Sequence, residues 1–155
     1  MPKFLKVLAA AACSALLLCA CQALPEGAKR PDVSIDSVTI AAVDGVPGFK
    51  ISCSMEHNSL TALPLQSTEI TVFINGTMAA RYQEPGNLRE LPPNERLSLY
   101  YFVPASLLPE AAAYSLEYNR MLQLKASVLV HLSFEKDNES GFNPNATFEG
   151  IISHD

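Results

Sequence analysis

The feature that most constrains this chain is an alternation of apolar and polar residues, which recurs in many short stretches. In residues 49–56 the odd positions hold Phe49, Ile51, Cys53 and Met55, and the even positions hold polar residues. Successive side chains of a β-strand point to opposite faces, so this pattern predicts a half-buried strand. Comparable patterns predict strands over 33–42, 70–74, 78–82, 97–103, 122–134 and 148–152.

Turn signals separate these stretches and support the same assignment. Asn75-Gly76 stands between two of them and is a residue pair that two-residue hairpin turns prefer. The first stretch changes phase in its middle, which predicts a β-bulge near Asp36-Ser37. Only residues 109–118 have helical character, with a proline in the first turn. Many short strands joined by Pro- and Gly-containing turns predict an all-β fold, a β-sandwich.

The amino-terminal segment differs from the rest of the chain. Lys3 and Lys6 precede an apolar run over residues 7–18, and Ala20-Cys21 follows it. A basic start, an apolar run of this length and a small residue before a cleavage point are the parts of a secretory signal. With a cysteine directly after that point, the segment resembles the lipobox of bacterial lipoproteins. The resemblance implies that residues 1–20 are a signal peptide and that Cys21 is the lipidation site, which receives a diacylglycerol with acyl chains such as palmitate.

Two neighbouring cysteines are weaker candidates for the lipidation site. Cleavage before Cys19 would place a leucine at the cut, where signal peptidases require a small residue. Cleavage before Cys13 would leave an apolar run of only about six residues. An uncleaved helix over residues 7–24 is the other alternative, and its roughly eighteen apolar residues are marginal for spanning a bilayer. Gln22, not aspartate, follows Cys21, and resemblance to enterobacterial sorting rules then favours the outer membrane, facing the periplasm.

The remaining chain, residues 21–155, has the size of one domain. It holds nine basic and sixteen acidic residues, a net charge of −7. That charge argues against nucleic acid as a partner and against electrostatic attachment to anionic lipid. The lipid at Cys21 is therefore the expected link to the membrane. Residues 21–32 are predicted to be a lipidated tether, and residues 33–155 the folded domain.

Short patterns along residues 33–153 resemble the type 2 late-embryogenesis-abundant (LEA) family, also called the WHy domain family. They are Val33-Ser34-Ile35, the strand over 49–55, Asn58 followed by Leu63-Pro64-Leu65, the strand ending in Ile74-Asn75-Gly76, and Leu91-Pro92-Pro93 before the strand over 97–103. Where the family usually has Asn-Pro-Asn, this chain has Asn58-Ser59-Leu60.

This second resemblance implies a fold, a setting and a role. The family fold is an immunoglobulin- or fibronectin III-like β-sandwich of about seven strands with one short helix. Bacterial members are commonly lipoproteins. Members are linked to desiccation and cold tolerance and to the protection of other proteins from aggregation, and none has an established active site.

The strongest chemical pattern is Cys53-x-Met55-x-His57, because thiolate, thioether and imidazole on one strand face suit Cu(I). The same face begins with large apolar residues, so Cys53 and Met55 are expected to fill the core instead. His131 and His154 do not obviously converge with His57. The sequence contains no Gly-x-Ser-x-Gly elbow, phosphate-binding loop or zinc spacing. We therefore expect no catalytic residue, no metal site and no cofactor.

Two classes of function are compatible with these expectations. The first is a non-enzymatic, membrane-anchored binding or stress-protective module of the cell envelope. In it, outward side chains such as Phe73, Tyr100 and Phe102 contact client or envelope proteins, unless they pack against the helix or the second sheet. The second class is a carrier of a small ligand or lipid, which requires a cavity between the sheets.

Overall fold

The computed structural model describes residues 28–117, 123–134 and 143–153. Within these ranges the chain forms seven strands and one helix: β1 (Asp32–Val43), β2 (Val46–Glu56), β3 (Leu63–Ile74), β4 (Thr77–Leu91), β5 (Arg96–Pro104), α1 (Glu110–Glu117), β6 (Gln123–Ser133) and β7 (Asn145–Ser153). Sheet A has the order β1-β2-β5, and sheet B has the order β4-β3-β6-β7. All neighbouring strands are antiparallel. The predicted all-β sandwich with one short helix is confirmed.

The position of β4 distinguishes this sandwich from an immunoglobulin constant domain. In that domain the fourth strand joins the sheet formed by the first, second and fifth strands. Here β4 pairs with β3, so that the sheets have three and four strands. This is the fibronectin III arrangement.

One apolar core lies between the two sheets. Sheet A contributes the inward side chains Val38, Ile40, Phe49, Ile51, Cys53, Met55, Leu99 and Val103, and sheet B contributes Leu63, Leu65, Ile70, Val72, Ile74, Ala126, Val128, Val130 and Leu132. Two buried hydroxyl groups meet inside it, because Thr68 Oγ1 and the Tyr101 hydroxyl form a hydrogen bond of 3.2 Å. The Tyr82 ring packs against that of Tyr101, with 6.1 Å between ring centroids. Each hydroxyl thus has the partner that a buried polar group needs.

Two β-bulges shape the edges of the sheets. Asp36 is the extra residue in β1, which confirms the predicted bulge. Ala79 is the extra residue in β4, and the bulge leaves its carbonyl outside the ladder. That carbonyl accepts hydrogen bonds from the amides of Ser106 at 2.8 Å and Leu107 at 3.0 Å. The edge of sheet B is therefore fastened to the segment that leaves β5 of sheet A.

Tight turns join the hairpins at one end of the sandwich. Asn75 and Gly76 have φ angles of 50° and 82°, and the predicted Asn-Gly turn is confirmed. Positive φ at both central residues is typical of the type I′ turn, whose twist matches that of the flanking strands. Asp44 and Gly45, with φ angles of 52° and 77°, join β1 to β2 in the same way.

Strand β3 begins at Leu63, earlier than the alternation over 70–74 predicted. The register with β4 shifts between Leu65 and Ser67, so the inward positions change parity there and interrupt the pattern. Pro64 pairs with Glu90 of β4, and the pairing of β3 with β6 starts only at Ser67. Proline has no amide hydrogen to donate, and here it stands where β3 has a neighbour on one side only.

The two ends of the sandwich differ in the segments that they hold. The tether end holds residues 28–31 and the connections 57–62 and 92–95, and the helix end holds the two tight turns and α1. Helix α1 contacts β1 and buries Ala112. The twelve residues of β1 separate the two ends by roughly 35–40 Å. In the part of the chain that the structure describes, no helix is long and apolar enough to span a bilayer.

Candidate interaction surface

The predicted lipidation site, Cys21, lies outside the described residues, as do all of residues 1–27. Its modification therefore stays a prediction, and so do the boundaries of the signal peptide and the tether. The first described residue is Ala28, and the chain enters the sandwich at the tether end. The backbone of Lys29 makes the contacts that hold the chain at that point.

Ser59 fixes the place where the chain enters. The side chain is fully buried, and its Oγ accepts a hydrogen bond from the Lys29 amide at 2.7 Å and donates one to the Lys29 carbonyl at 3.2 Å. The Ser59 carbonyl accepts a hydrogen bond from the Asn94 amide at 3.2 Å. One serine thus joins the segment before β1, the β2–β3 connection and the β4–β5 connection. The proline of the usual Asn-Pro-Asn would stand at position 59. It has no hydroxyl and could not make the two hydrogen bonds with the Lys29 backbone.

His57 is held between the same two connections and is fully buried. Its Nε2–H donates to the Pro92 carbonyl, and its amide donates to the Glu95 carbonyl at 3.5 Å. Cys53 and Met55 are also fully buried, which confirms that they fill the core. Among the described residues, no group of three or more His, Cys, Asp or Glu side chains could hold a metal ion. These contacts support a structural role for His57, which joins the β2–β3 connection to the β4–β5 connection.

The thiol of Cys53 is in an environment that suppresses its chemistry. Burial raises its pKa from 9.0 to about 12, and the negative charge of Asp36 contributes in the same direction. The thiolate is the reactive form of cysteine, so a thiol with this pKa is almost fully protonated at neutral pH and inert. Cys53 is a side chain of the core and not a reactive site.

We expect Cys53 to resist thiol reagents in the native protein. At pH 8 a thiol with a pKa of about 12 has a thiolate fraction about a thousandfold lower than an unburied cysteine, and burial also blocks access. Labelling with a chromogenic disulfide should therefore be negligible before denaturation and complete afterwards. A Ser98→Cys variant, whose new thiol lies on the exposed face of β5, supplies the control and should react at once. Rapid reaction of native Cys53 would contradict its assignment to the core.

The outward face of sheet A changes in polarity along its length. The strand register aligns its side chains in rows that cross β1, β2 and β5. From the tether end, the rows are Asp32–Glu56–Arg96, Ser34–Ser54–Ser98, Ser37–Ser52–Tyr100, Thr39–Lys50–Phe102 and Ala41–Gly48–Pro104, followed by the pair Val43–Val46. Charged groups and hydroxyls thus fill the rows near the tether end, whereas aromatic and aliphatic groups predominate towards the helix end, with Thr39 and Lys50 beside them.

The polar half contains a shallow pocket open to solvent. Its volume is about 140 Å³, and the side chains of Asp32, Ser34, Glu56 and Arg96 line it together with Ser54. The Ser54 hydroxyl donates to the carboxylate of the bulged Asp36, which gives this buried serine a hydrogen-bond partner. A carrier needs an enclosed cavity between the sheets, and this pocket lies on their outside. The described residues therefore offer no observation in favour of the carrier.

Several apolar side chains are grouped towards the helix end of this face; we call them apolar surface A and define it by Val43, Val46, Tyr100, Phe102 and Pro104. Thr39 and Lys50 stand in the same row as Phe102. Tyr100 is 73% exposed, and Phe102 is half-buried beside it on the same face of β5. The Phe102 ring lies directly on the backbone of β2: a Cβ atom at Gly48 would be 2.7 Å from that ring and 2.5 Å from a carbonyl oxygen of β5. Only glycine leaves room for the ring there, so the strands hold this aromatic surface in place.

The outward face of sheet B carries apolar side chains that are more dispersed. Met78, Leu129 and Ile151 are exposed. Met78 pairs with the half-buried Phe73, whereas Leu129 and Ile151 stand in cross-strand rows with hydroxyl and charged residues. Arg81 and Glu69 form an ion pair on the same face. Of the three side chains predicted to face outward, Tyr100 and Phe102 are brought together on apolar surface A, while Phe73 is half-buried on the other sheet.

Two solved structures have a similar fold. One belongs to a protein assigned by name to the late embryogenesis abundant (LEA) proteins, At2g46140.1; it has a TM-score of 0.59 and 13% identity, and the match covers 79% of this chain and 70% of that one. The other is AT1g01470 from Arabidopsis thaliana, with a TM-score of 0.52, 16% identity, and coverage of 86% of this chain and 85% of that one. No family model and no curated protein matches the chain. The structure thus defines a fibronectin III-like β-sandwich, and a protein whose name assigns it to the LEA proteins has a similar fold.

Proposed function

We propose that this chain is a non-enzymatic binding module of the cell envelope, of the type 2 LEA (WHy) kind, which protects other proteins from aggregation under desiccation or cold. The LEA part of this proposal is supported by the similarity in fold to a protein whose name assigns it to the LEA proteins. The observation that carries the binding role is apolar surface A. Exposed apolar side chains that are grouped at one end of an otherwise polar sheet face are typical of a protein-interaction site.

The composition of apolar surface A suits contact with partly unfolded client proteins. Tyr100 offers a large, exposed aromatic side chain with few rotatable bonds, so it loses little conformational entropy on binding. Phe102 is pre-positioned on Gly48. Client proteins expose apolar segments when they lose water or freeze. Contact between these segments and apolar surface A removes apolar area from water and so lowers the free energy. Reversible binding of these segments to apolar surface A would prevent the client proteins from aggregating with one another.

The placement of reactive side chains supports a non-enzymatic role. Cys53 is buried with a raised pKa, and His57 bonds a backbone carbonyl through Nε2. His131, on the outward face of sheet B, bonds Asn145. These side chains lie on different elements and do not form a nucleophile–base pair.

For the location, we propose lipid attachment at Cys21 and residence at the outer membrane, facing the periplasm. The order of parts in residues 1–21 supports lipid attachment, and Gln22 supports the choice of membrane. Two or three acyl chains hold a protein firmly, whereas one does not. The sandwich would then be present where envelope proteins unfold.

Protection by apolar surface A is tested by a freeze–thaw assay on an unrelated, freeze-labile enzyme. A soluble form that starts at residue 23 is expected to reduce aggregation of the enzyme more than an equal mass of albumin. In a Tyr100→Ser variant the protein concentration needed for half-maximal protection should rise about tenfold, as expected when an exposed aromatic contact is lost. Light scattering after repeated cycles provides the measurement.

Ile151→Ser is the matched control for this assay. Ile151 is 68% exposed, close to the value for Tyr100, but it lies on the outward face of sheet B. This variant should protect as well as the unmodified chain, and both variants should keep their thermal midpoint because exposed side chains contribute little to stability. Equal loss in the two variants would argue against a defined site, and a wild-type chain no better than albumin would overturn the protective function.

A further inference from the structure

The tether end exposes a small apolar surface directly beside the point of chain entry. Leu60 is 77% exposed, and Pro92 and Pro93 are exposed in the facing connection. The carbonyl of Ser59 accepts the amide hydrogen of Asn94, so these two connections are joined within one or two residues of each of the three side chains. We call Leu60, Pro92 and Pro93 the tether-end surface.

The tether-end surface is held firmly. Next to Leu60, the hydroxyl of Ser59 is buried and bonds the Lys29 backbone twice, at 2.7 and 3.2 Å. His57 is buried on the other side of the connection and bonds the Pro92 carbonyl. An isolated exposed leucine is ordinary on a protein surface. Here it stands on a fixed loop beside the residue through which the chain enters.

The length of chain before the described residues limits how far this surface can be from a lipid at Cys21. Seven residue steps separate Cys21 from Ala28, and an extended chain advances at most about 3.6 Å per residue, so the separation cannot exceed about 25 Å. Lys29 and Arg30 are exposed at the same place and can face anionic headgroups. The same end also exposes Arg96 and the carboxylates of Asp32, Glu56 and Glu95, which offset the positive charges there. The apolar side chains are therefore the main contact.

We propose that the tether-end surface contacts the bilayer that holds the anchor, with Leu60 in the interfacial layer. This inference rests on the proposed lipidation of Cys21. The occupant is the lipid surface itself, because the anchored chain keeps lipid within reach of this end of the sandwich at all times. A leucine and two prolines at the headgroup boundary remove apolar area from water, as interfacial segments do. The contact would orient the strands away from the membrane and direct the helix end towards the periplasm.

The test uses the mature lipidated protein, residues 21–155, in phosphatidylethanolamine–phosphatidylglycerol vesicles. A Leu60→Cys variant is labelled with an environment-sensitive fluorophore. Cys53 does not react with it, because its thiol is buried and has a raised pKa. Leu107→Cys is the matched control, because Leu107 is also exposed but lies near the helix end. We expect a blue-shifted emission and quenching by spin-labelled lipid at position 60, and neither effect at position 107.

The outcomes separate this inference from the function on which it rests. Protein that floats with the vesicles but shows an aqueous spectrum at position 60 would overturn the bilayer contact and leave the anchor intact. Equal blue shifts at positions 60 and 107 would overturn the proposed orientation, since the domain would then lie flat. If the protein does not float with the vesicles, the proposed lipid anchor is overturned, and the bilayer contact is overturned with it.

Discussion

Phe49→Ala is expected to lower the free energy of unfolding by about 3–5 kcal/mol. Phe49 is 0% exposed and lies in the inward row Ile40–Phe49–Val103 at the middle strand of sheet A. Strands paired on both sides cannot move in to fill the space of a lost ring, so most of the cavity would remain. Domains of this size are stable by about 5–15 kcal/mol, and the loss would be a large share of that. Urea denaturation followed by circular dichroism gives the measurement.

Tyr100→Ala is the comparison that gives this result its meaning. Both residues are aromatic and lie in the same sheet, but Tyr100 faces outward and is largely exposed. Its removal should change the free energy of unfolding by no more than about 0.5 kcal/mol. A cost below about 1 kcal/mol for Phe49→Ala, or equal costs for both variants, would mean that sheet A does not pack as described.

Cys21→Ser is expected to abolish membrane association of the chain. Serine has no thiol to form the thioether, and the acidic domain has little electrostatic attraction to anionic lipid. When expressed in a bacterium, the variant should lose labelling with a palmitate analogue and disappear from the carbonate-washed membrane fraction. The unmodified chain should show both.

Cys19→Ser is the matched control for the anchor. Cys19 would be removed with the signal peptide, so its replacement should leave both labelling and membrane association unchanged. Labelling that persists in Cys21→Ser, or is lost in Cys19→Ser alone, would move the cleavage point. Retained membrane association without any labelling would favour the uncleaved helix over residues 7–24.

Much of the fold could be predicted because a sheet with one buried face records its register in the sequence. The alternation from Phe49 to Met55 predicted the middle strand of sheet A, and the change of phase between Ile35 and Val38 predicted the bulge that the structure places at Asp36. The boundaries of β3 could not be predicted in the same way. Its register shift moves the inward positions by one, and the buried Thr68 appears polar in the sequence although Tyr101 satisfies its hydroxyl.

The candidate surface was only partly predictable. The outward phase of Tyr100 and Phe102 follows from alternation within β5 alone. Their placement at the same end of the sheet face as Val43 and Val46, and the support of Phe102 by Gly48, depend on the pairing of strands far apart in the sequence. The contacts of Ser59 could not be predicted, because a buried serine bonded to backbone has no pattern that separates it from an exposed one.

The direction of β1 has a mechanical consequence for a protein held at its amino end. Tension between Lys29 and a client on apolar surface A would act along the strands, because the two points lie towards opposite ends of sheet A. Antiparallel hydrogen bonds are perpendicular to the strands, so the ladder between β1 and β2 would be loaded in shear, with many bonds sharing the force. Pulling across the strands would instead break the bonds one at a time. Under the proposed attachment at Cys21, the sandwich would thus be oriented to resist extension.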